Sequence, residues 1–310
     1  MPPKLGARVA GWRTTLGPVV AAVAPLIVLT SSAPLPDPVP LDPIPVAMTT
    51  TPAPAPAPAA VKAKTPKRSS SSYKKALTRS LEDLPGRFAV SAHDLATGMS
   101  YTYNRGLRTA TASIVKVDMV MALLLRAQRQ RRGLTSWERR AAARAIKVSD
   151  NAAASALWSA IGGASGLAAA NKKFGLRDTR PGPGGAWGAT TTSAADQVRL
   201  LTALTSRKSP LSAKNRRYVL GLMADVAPEQ SWGVSASGRK GAEVALKNGW
   251  LPRERHGGLW TVNSIGEVRD RGHTYLIAVI SERHGSMGAG VKTVERVGRL
   301  VTKAMSLAAS

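Results

Sequence analysis

A proline-rich stretch limits how much of this chain can fold. Residues 34–68 read PLPDPVPLDPIPVAMTTTPAPAPAPAAVKAKTPKR, which is rich in proline and alanine and has no apolar periodicity. Proline fixes φ and removes a backbone donor, so such a stretch stays extended and cannot build a core. Residues 34–72 are therefore predicted to be a linker, and the folded domain is predicted to span residues 73–310.

The segment before this linker has the pattern of an export signal. Three basic residues, Lys4, Arg8 and Arg13, precede the apolar run 16–29. This run is short for a membrane-spanning helix, and positive charge before a short apolar run is typical of a signal peptide. Residues 1–33 are predicted to be a signal peptide or an uncleaved membrane anchor. The protein is therefore expected to be secreted, or tethered to the outer face of the cytoplasmic membrane.

The order of the predicted elements defines the fold class. A first helix is predicted over 73–84, followed by two strands over 87–95 and 100–104. A helical middle follows, which includes a helix over 113–130. Three strands over 244–250, 260–269 and 273–282 come next, and the last helix covers 291–305. This order predicts a mixed α/β fold of the α+β type. About five antiparallel strands would form one sheet, flanked by the terminal helices, with a helical subdomain beyond it.

Composition excludes several classes of site. The chain has no cysteine, so disulfides and thiol nucleophiles are excluded, and its four histidines show no metal-ligand spacing. No metal or cofactor is predicted. The formal charge of +26 fits anionic wall polymers or a membrane surface as partners. Nucleic acid is not predicted, because no recognition motif occurs and only 5% of residues are aromatic. A monomer is expected.

One Ser-x-x-Lys motif stands in a setting that suits chemistry. The motif occurs four times, but only Ser113 and Lys116 open a long apolar helix. Residues three apart share a helix face, so Lys116 is predicted to lie beside the Ser113 hydroxyl. The helix N-terminus favours negative charge near Ser113, and burial would lower the pKa of Lys116.

Two further motifs follow in order. Residues 149–151 are Ser-Asp-Asn, which alone would suit a helix N-cap. Residues 247–249 are Lys-Asn-Gly in a strand-like run, where the glycine would allow close backbone approach.

Taken together, these motifs resemble those of class A β-lactamases and penicillin-binding proteins, which carry SxxK, SDN and KTG in this order. The segments SDNAAASALWSAIGG and ATTTSAADQ also resemble that family, and the likeness covers residues 73–310. It implies a β-lactamase/transpeptidase-like fold and four catalytic residues: Ser113 as nucleophile, Lys116 as base, Ser149 as proton relay and Lys247 as a positive charge. It implies four substrate-binding residues as well: Asn151, Asn248, Gly249 and Trp250. The oxyanion hole would be the backbone N–H groups of Ser113 and Trp250.

The chain also departs from that family. Asn248 replaces the threonine of KTG, and the segment between Ser113 and Ser149 is short. The family's loop glutamate, which activates the deacylating water, has no counterpart in residues 174–192, whose only acid is Asp178. Trp187 in this loop is a candidate to give the substrate pocket a shape that differs from that of the class A enzymes.

Three functions remain open. The first is a β-lactamase-like serine hydrolase that forms an acyl-enzyme with a β-lactam or related amide and hydrolyses it. The second is a D,D-peptidase or penicillin-binding enzyme that acts on peptidoglycan peptides and deacylates slowly. The third is a non-catalytic domain that binds the cell wall.

Overall fold

A computed structural model describes residues 70–309. Its helices are α1 (Ser70–Glu82), α2 (Val115–Arg129), α3 (Ser136–Lys147), α4 (Asn151–Ile161), α5 (Gly163–Phe174), α6 (Ala194–Thr205), α7 (Ala213–Ala224) and α8 (Met287–Ala309). Its strands are β1 (Arg87–Asp94), β2 (Ser100–Tyr103), β3 (Thr109–Ala110), β4 (Thr191–Thr192), β5 (Glu243–Pro252), β6 (Trp260–Asp270) and β7 (His273–Glu282).

Five strands form one antiparallel sheet in the order β2-β1-β7-β6-β5. Strands β6 and β7 are joined by a two-residue turn, in which Arg271 and Gly272 both have positive φ, as a type I′ hairpin requires. The short strands β3 and β4 pair separately. The predicted fold class is confirmed. Strand β5 lies at the edge of the sheet, so one side of its backbone has no neighbouring strand.

Alternation along the strands produces two cores. In β7, Leu276, Ala278 and Ile280 belong to the core shared with α2 and the other helices of the subdomain. The intervening side chains point to the opposite core, which α1 and α8 supply. The helical residues of this second core are Leu77, Leu81, Val294, Val297, Val301 and Met305. The terminal helices therefore cover one face of the sheet, and the helical subdomain covers the other.

Several boundaries differ from the sequence prediction. Helix α1 begins at Ser70, so residues 70–72 belong to the helix rather than to the linker. The helix predicted over 113–130 begins as a 3₁₀ turn, Ala112–Ile114, before α2. The signal or anchor predicted over 1–33, and the linker as far as residue 69, lie outside the described residues. Within residues 70–309 no single helix is long and apolar enough to cross a membrane, and only the bent pair α4–α5 passes that test jointly.

Candidate active site

Ser113 lies in the 3₁₀ turn directly before α2, and its side chain is partly exposed. Ala112 before it has a φ of +48°, which is uncommon for a residue with a Cβ and turns the chain sharply. The buried Asn263 of β6 holds this turn: its Nδ2 donates to the carbonyls of Ala110 at 2.8 Å and Thr111 at 3.1 Å. Sequence reasoning missed Asn263 because no local pattern links it to a turn about 150 residues away.

Lys116 is the second residue of α2 and is completely buried. Its ammonium donates to Ser149 O at 2.6 Å, Ser149 Oγ at 3.1 Å and Asn151 Oδ1 at 2.8 Å. These three bonds use all three N–H groups of the charged lysine. The structure therefore brings Lys116, Ser149 and Asn151 together. Among residues 70–309, Ser113 Oγ has no hydrogen-bond partner.

The Ser-Asp-Asn segment is held by a helix cap. Asp150 is the N-cap of α4, and its carboxylate accepts from Ala153 N–H at 2.8 Å and pairs with Arg144. This cap and ion pair fix the turn at Ser149, which has a φ of +57°. Asp150 therefore has a structural part, while its two neighbours turn their side chains toward Lys116.

Lys247 reaches the same serine from the sheet. It lies on β5 with 1% of its surface exposed, and its Nζ donates to Ser149 Oγ at 3.1 Å and Asn248 O at 2.8 Å. Ser149 Oγ is thus 3.1 Å from both lysine nitrogens. The four residues predicted as catalytic come from three separate parts of the fold, and the three polar partners Lys116, Ser149 and Lys247 form one connected network.

Burial makes both lysines unusually acidic. It lowers the pKa of Lys116 to about 8, against the opposing effect of the Asp150 carboxylate. Burial and the positive charge of Lys116 lower the pKa of Lys247 to about 7. Because the two groups share Ser149, they lose protons as a coupled pair. The site can therefore hold a neutral amine close to neutral pH.

Gly249 lets β5 pass directly against the turn that contains Ser113. A Cβ at this position would lie 2.6 Å from Ser113 N and 2.8 Å from both Ile114 N and Thr111 O. Because these are backbone atoms, they could make room for a side chain only if the turn or the strand shifted. Gly249 therefore allows the edge strand β5, which continues with Trp250, to approach the backbone around Ser113 closely. The Trp250 ring is half-buried against Trp232, with centroids 5.7 Å apart.

Contrary to what the resemblance implied, the structure does not leave the Asn248 side chain free to contact a substrate. Asn248 is fully buried, and its Nδ2 donates to the carbonyls of Gln230 and Trp232, both at 2.8 Å. Both amide hydrogens are thereby used. The side chain ties β5 to the 228–233 segment, and the expected contact to a substrate carboxylate has no free donor.

The loop before β4 contains no free carboxylate. Asp178 pairs with Arg108 at 2.8 Å and accepts from Ser193 Oγ at 2.9 Å. Although partial burial would raise the pKa of Asp178, these two contacts lower it overall. A carboxylate that is held in this way is a weak base. Asp178 is therefore a structural residue of the loop.

Trp187 from the same loop covers Lys116. Its ring centroid is 4.9 Å from Lys116 Nζ, and its Nε1 donates to Ser155 Oγ of α4 at 3.1 Å. The hydrogen bond fixes the ring, and the ring face attracts the ammonium. Sequence reasoning marked Trp187 as shaping a pocket but could not place it on the lysine, because a loop rich in glycine and proline has no predictable direction.

The fold and these contacts define a class of protein. The site lies between a five-stranded sheet and a helical subdomain. It combines a serine at the start of a buried helix, two buried lysines and a Ser-Asp-Asn turn. This arrangement is that of the penicillin-recognising serine hydrolases. Within residues 70–309 no group of three or more His, Cys, Asp or Glu side chains could hold a metal ion.

The comparison with protein families agrees with this class. The model of the "Beta-lactamase enzyme family" matches residues 130–305, more than half of the chain. The chain belongs to this family.

Known structures share the fold at low identity. PBP-A is 20% identical with a TM-score of 0.64, over 76% of this chain and 96% of that one. A PBP-A mutant solved as an acyl-enzyme complex with penicillin-G has a TM-score of 0.65, with 20% identity over 78% and 99% of the two chains. A β-lactamase from Streptosporangium roseum has a TM-score of 0.64, with 23% identity over 76% and 99%.

Among curated proteins, "Putative lipoprotein LppW" of Mycobacterium tuberculosis is 28% identical over 169 residues. The match covers 53% of this chain and 54% of that protein. The chain therefore spans about half the length of the curated relatives it matches, and the same holds for the Mycobacterium bovis protein of that name.

Proposed function

We propose that the chain is a serine acyl-enzyme in which Ser113 attacks the amide carbonyl of a β-lactam or of a peptidoglycan peptide, and that the acyl-enzyme then deacylates slowly. One observation carries this proposal: Ser149 Oγ accepts hydrogen bonds from two buried lysines whose pKa values are lowered. One of these lysines, Lys116, follows Ser113 by three residues. Binding alone does not need such a network, because burying two cations beside each other is costly.

The first step forms the Ser113 ester. Neutral Lys116 takes the proton of Ser113 Oγ, and the oxygen attacks the carbonyl carbon to give a tetrahedral oxyanion. The backbone N–H groups of Ser113 and Trp250 stabilise this oxyanion. The C–N bond then breaks, and the leaving nitrogen takes a proton from Ser149 Oγ, which regains one from the lysine pair. When Lys116 is neutral, its charge no longer lowers the pKa of Lys247, so Lys247 is the member of the pair that keeps a proton and supplies positive charge for the substrate carboxylate. The exposed Asn151 binds the side-chain amide of the substrate.

Deacylation needs a base that activates water, and this site holds none of the usual kind. No carboxylate in residues 70–309 accepts a hydrogen bond from Lys116 or Ser113, and Asp178 is committed to Arg108 and Ser193. The Trp187 ring covers the face of Lys116 toward the loop. These contacts support a penicillin-binding enzyme over a β-lactamase with rapid turnover.

The test is the reaction with a chromogenic β-lactam. We expect a burst of colour that corresponds to about one product molecule per enzyme molecule. The turnover that follows should be at least about 100-fold slower than the burst, because the general base that would speed deacylation by such a factor is missing. Asp178→Asn should deacylate at the wild-type rate, since its carboxylate does not act on water. Sustained rapid turnover by the wild type would instead make the chain a β-lactamase. Slower deacylation by Asp178→Asn than by the wild type would show that the Asp178 carboxylate activates the water.

The rate of acylation should depend on pH through the lysine pair. Lys116 is charged below its lowered pKa of about 8 and neutral above it. As a base it must be neutral, so the acylation rate constant should rise with pH, by up to about tenfold per unit, and level off above that pKa. Stopped-flow acylation across this range measures the profile. A rate that is constant through the pKa would remove Lys116 from the role of base.

Export is part of the same proposal. Peptidoglycan peptides lie outside the cytoplasmic membrane, and the basic and apolar segments within residues 1–33 are typical of an export signal. The name of the mycobacterial relative, a lipoprotein, is consistent with tethering to the membrane. Anionic wall polymers or the membrane surface remain the partners that the charge of +26 favours.

A further inference from the structure

A basic cavity lies at the far end of α2 from Ser113. Its volume is about 390 Å³, and it is enclosed by the end of α2, residues 131–134 and the start of α7. At a rise of about 1.5 Å per residue, it is roughly 20 Å along the helix from the candidate active site. Leu124, Ala127 and Tyr218 give it an apolar part, and none of the residues lining it is acidic.

Three cations of this cavity lack a carboxylate partner. Among residues 70–309, the side chains of Arg131 and Lys214 make no hydrogen bond or ion pair. The guanidinium of Arg139 donates only to neutral oxygens, the carbonyl of Leu134 and Ser136 Oγ. The nearby Glu138 does not neutralise them, because Arg132 holds it through two hydrogen bonds of 2.7 and 2.9 Å.

The walls of the cavity are joined by the half-buried amide of Gln128. Gln128 Nε2 donates to Pro210 O at 2.9 Å, and its Oε1 accepts from Ser212 N–H at 2.8 Å and Asn215 Nδ2 at 3.2 Å. These bonds tie α2 to the first turn of α7, whose positive end faces the cavity. Arg131 is held in the left-handed region, with a φ of +52°. The backbone segments that carry these exposed cations are thus tied to each other through Gln128.

We propose that this cavity binds a phosphate group. Two guanidinium groups, an ammonium and a helix N-terminus surround one volume, and a phosphate supplies the charge and the several acceptor oxygens that such donors match. The same chemistry is present in free phosphate and in a phospholipid headgroup. The site is independent of the acylation chemistry, since none of its residues belongs to the network around Ser149.

The experiment uses the full chain and two double variants of equal charge. Arg131→Ser with Lys214→Ala alters the cavity, and Arg296→Ser with Lys303→Ala removes two exposed cations from α8 as a control. Inorganic phosphate is titrated by calorimetry at low salt, with thermal unfolding to confirm that each variant is folded. Wild type and control should bind alike, and the cavity variant should bind at least about tenfold more weakly. Absence of binding by the wild type, or equal binding by the two variants, would overturn the proposal.

Vesicles then distinguish the two sources of phosphate. Phosphatidylglycerol vesicles should sediment the control better than the cavity variant if the cavity takes a headgroup. If sedimentation is equal while phosphate titration still separates the variants, the ligand is a soluble phosphate. If both assays fail to separate the variants, the charge acts without a specific site, and the proposal is wrong.

Discussion

Replacing Lys116 with arginine is expected to slow acylation by a factor of about 10² to 10⁴, the usual contribution of a positioned base. Arginine keeps the positive charge but cannot lose its proton at accessible pH. Lys116 is buried and its pKa is lowered to about 8, so the wild-type side chain can act as a base where arginine cannot. Single-turnover kinetics with a β-lactam measure the change.

The same experiment needs two further variants. Arginine is larger than lysine, and the site has no exposed surface, so Lys116→Arg could also disturb the packing. Lys116→Met fits the volume of lysine without its charge. It should acylate as slowly as Lys116→Arg and should unfold at or above the wild-type temperature. Lys75→Arg on the exposed side of α1 is the matched control and should acylate normally. If Lys116→Arg acylated at the wild-type rate, the base would have to be another residue, with Lys247 as the first candidate.

Adding a single methyl group at Gly249 should disable the oxyanion hole. The new Cβ would lie 2.6 Å from Ser113 N, so β5 and the turn that contains Ser113 must move apart. Loss of one oxyanion donor typically costs about 10² to 10³ in rate. Gly249→Ala should therefore acylate at least about 100-fold more slowly, while overpacking destabilises the fold by about 1–3 kcal/mol.

Gly221→Ala is the matched control for this substitution. Gly221 lies on the exposed side of α7, and a Cβ there meets nothing within 4 Å. Its acylation rate should not change, and the fold should gain about 0.5–1 kcal/mol, because alanine is the better helix former. A wild-type acylation rate in a folded Gly249→Ala variant would show that the close approach of β5 to Ser113 is unimportant.

The local parts of the site could be predicted from the sequence. The Ser-x-x-Lys pair stands at the start of the buried helix α2, the Ser-Asp-Asn turn caps α4, and the Lys-Asn-Gly run lies in a strand. Each of these follows from neighbouring residues. Their meeting could not be derived from spacing alone, since Ser149 and Lys247 are 98 positions apart. The family resemblance supplied that step, because it carries the packing of the sheet against the subdomain.

Asn248 shows a signal that was present but not used. Successive side chains of a strand point to opposite faces, so Lys247 and Gly249 share one face and Asn248 must point to the other. Its hydrogen bonds to Gln230 and Trp232 follow from this alternation. The position of Trp187 on Lys116 had no such signal, because it depends on how an irregular loop packs against α4.

The most direct test of the account is the intact mass of the protein after exposure to penicillin, followed by peptide mapping. A stable mass increase of one penicillin, located on Ser113 and absent from Ser113→Ala, is the predicted result. An adduct on another residue, or the same adduct in Ser113→Ala, would contradict Ser113 as the nucleophile. A wild-type protein that remains unmodified and does not consume the penicillin would contradict acylation of this site by a β-lactam.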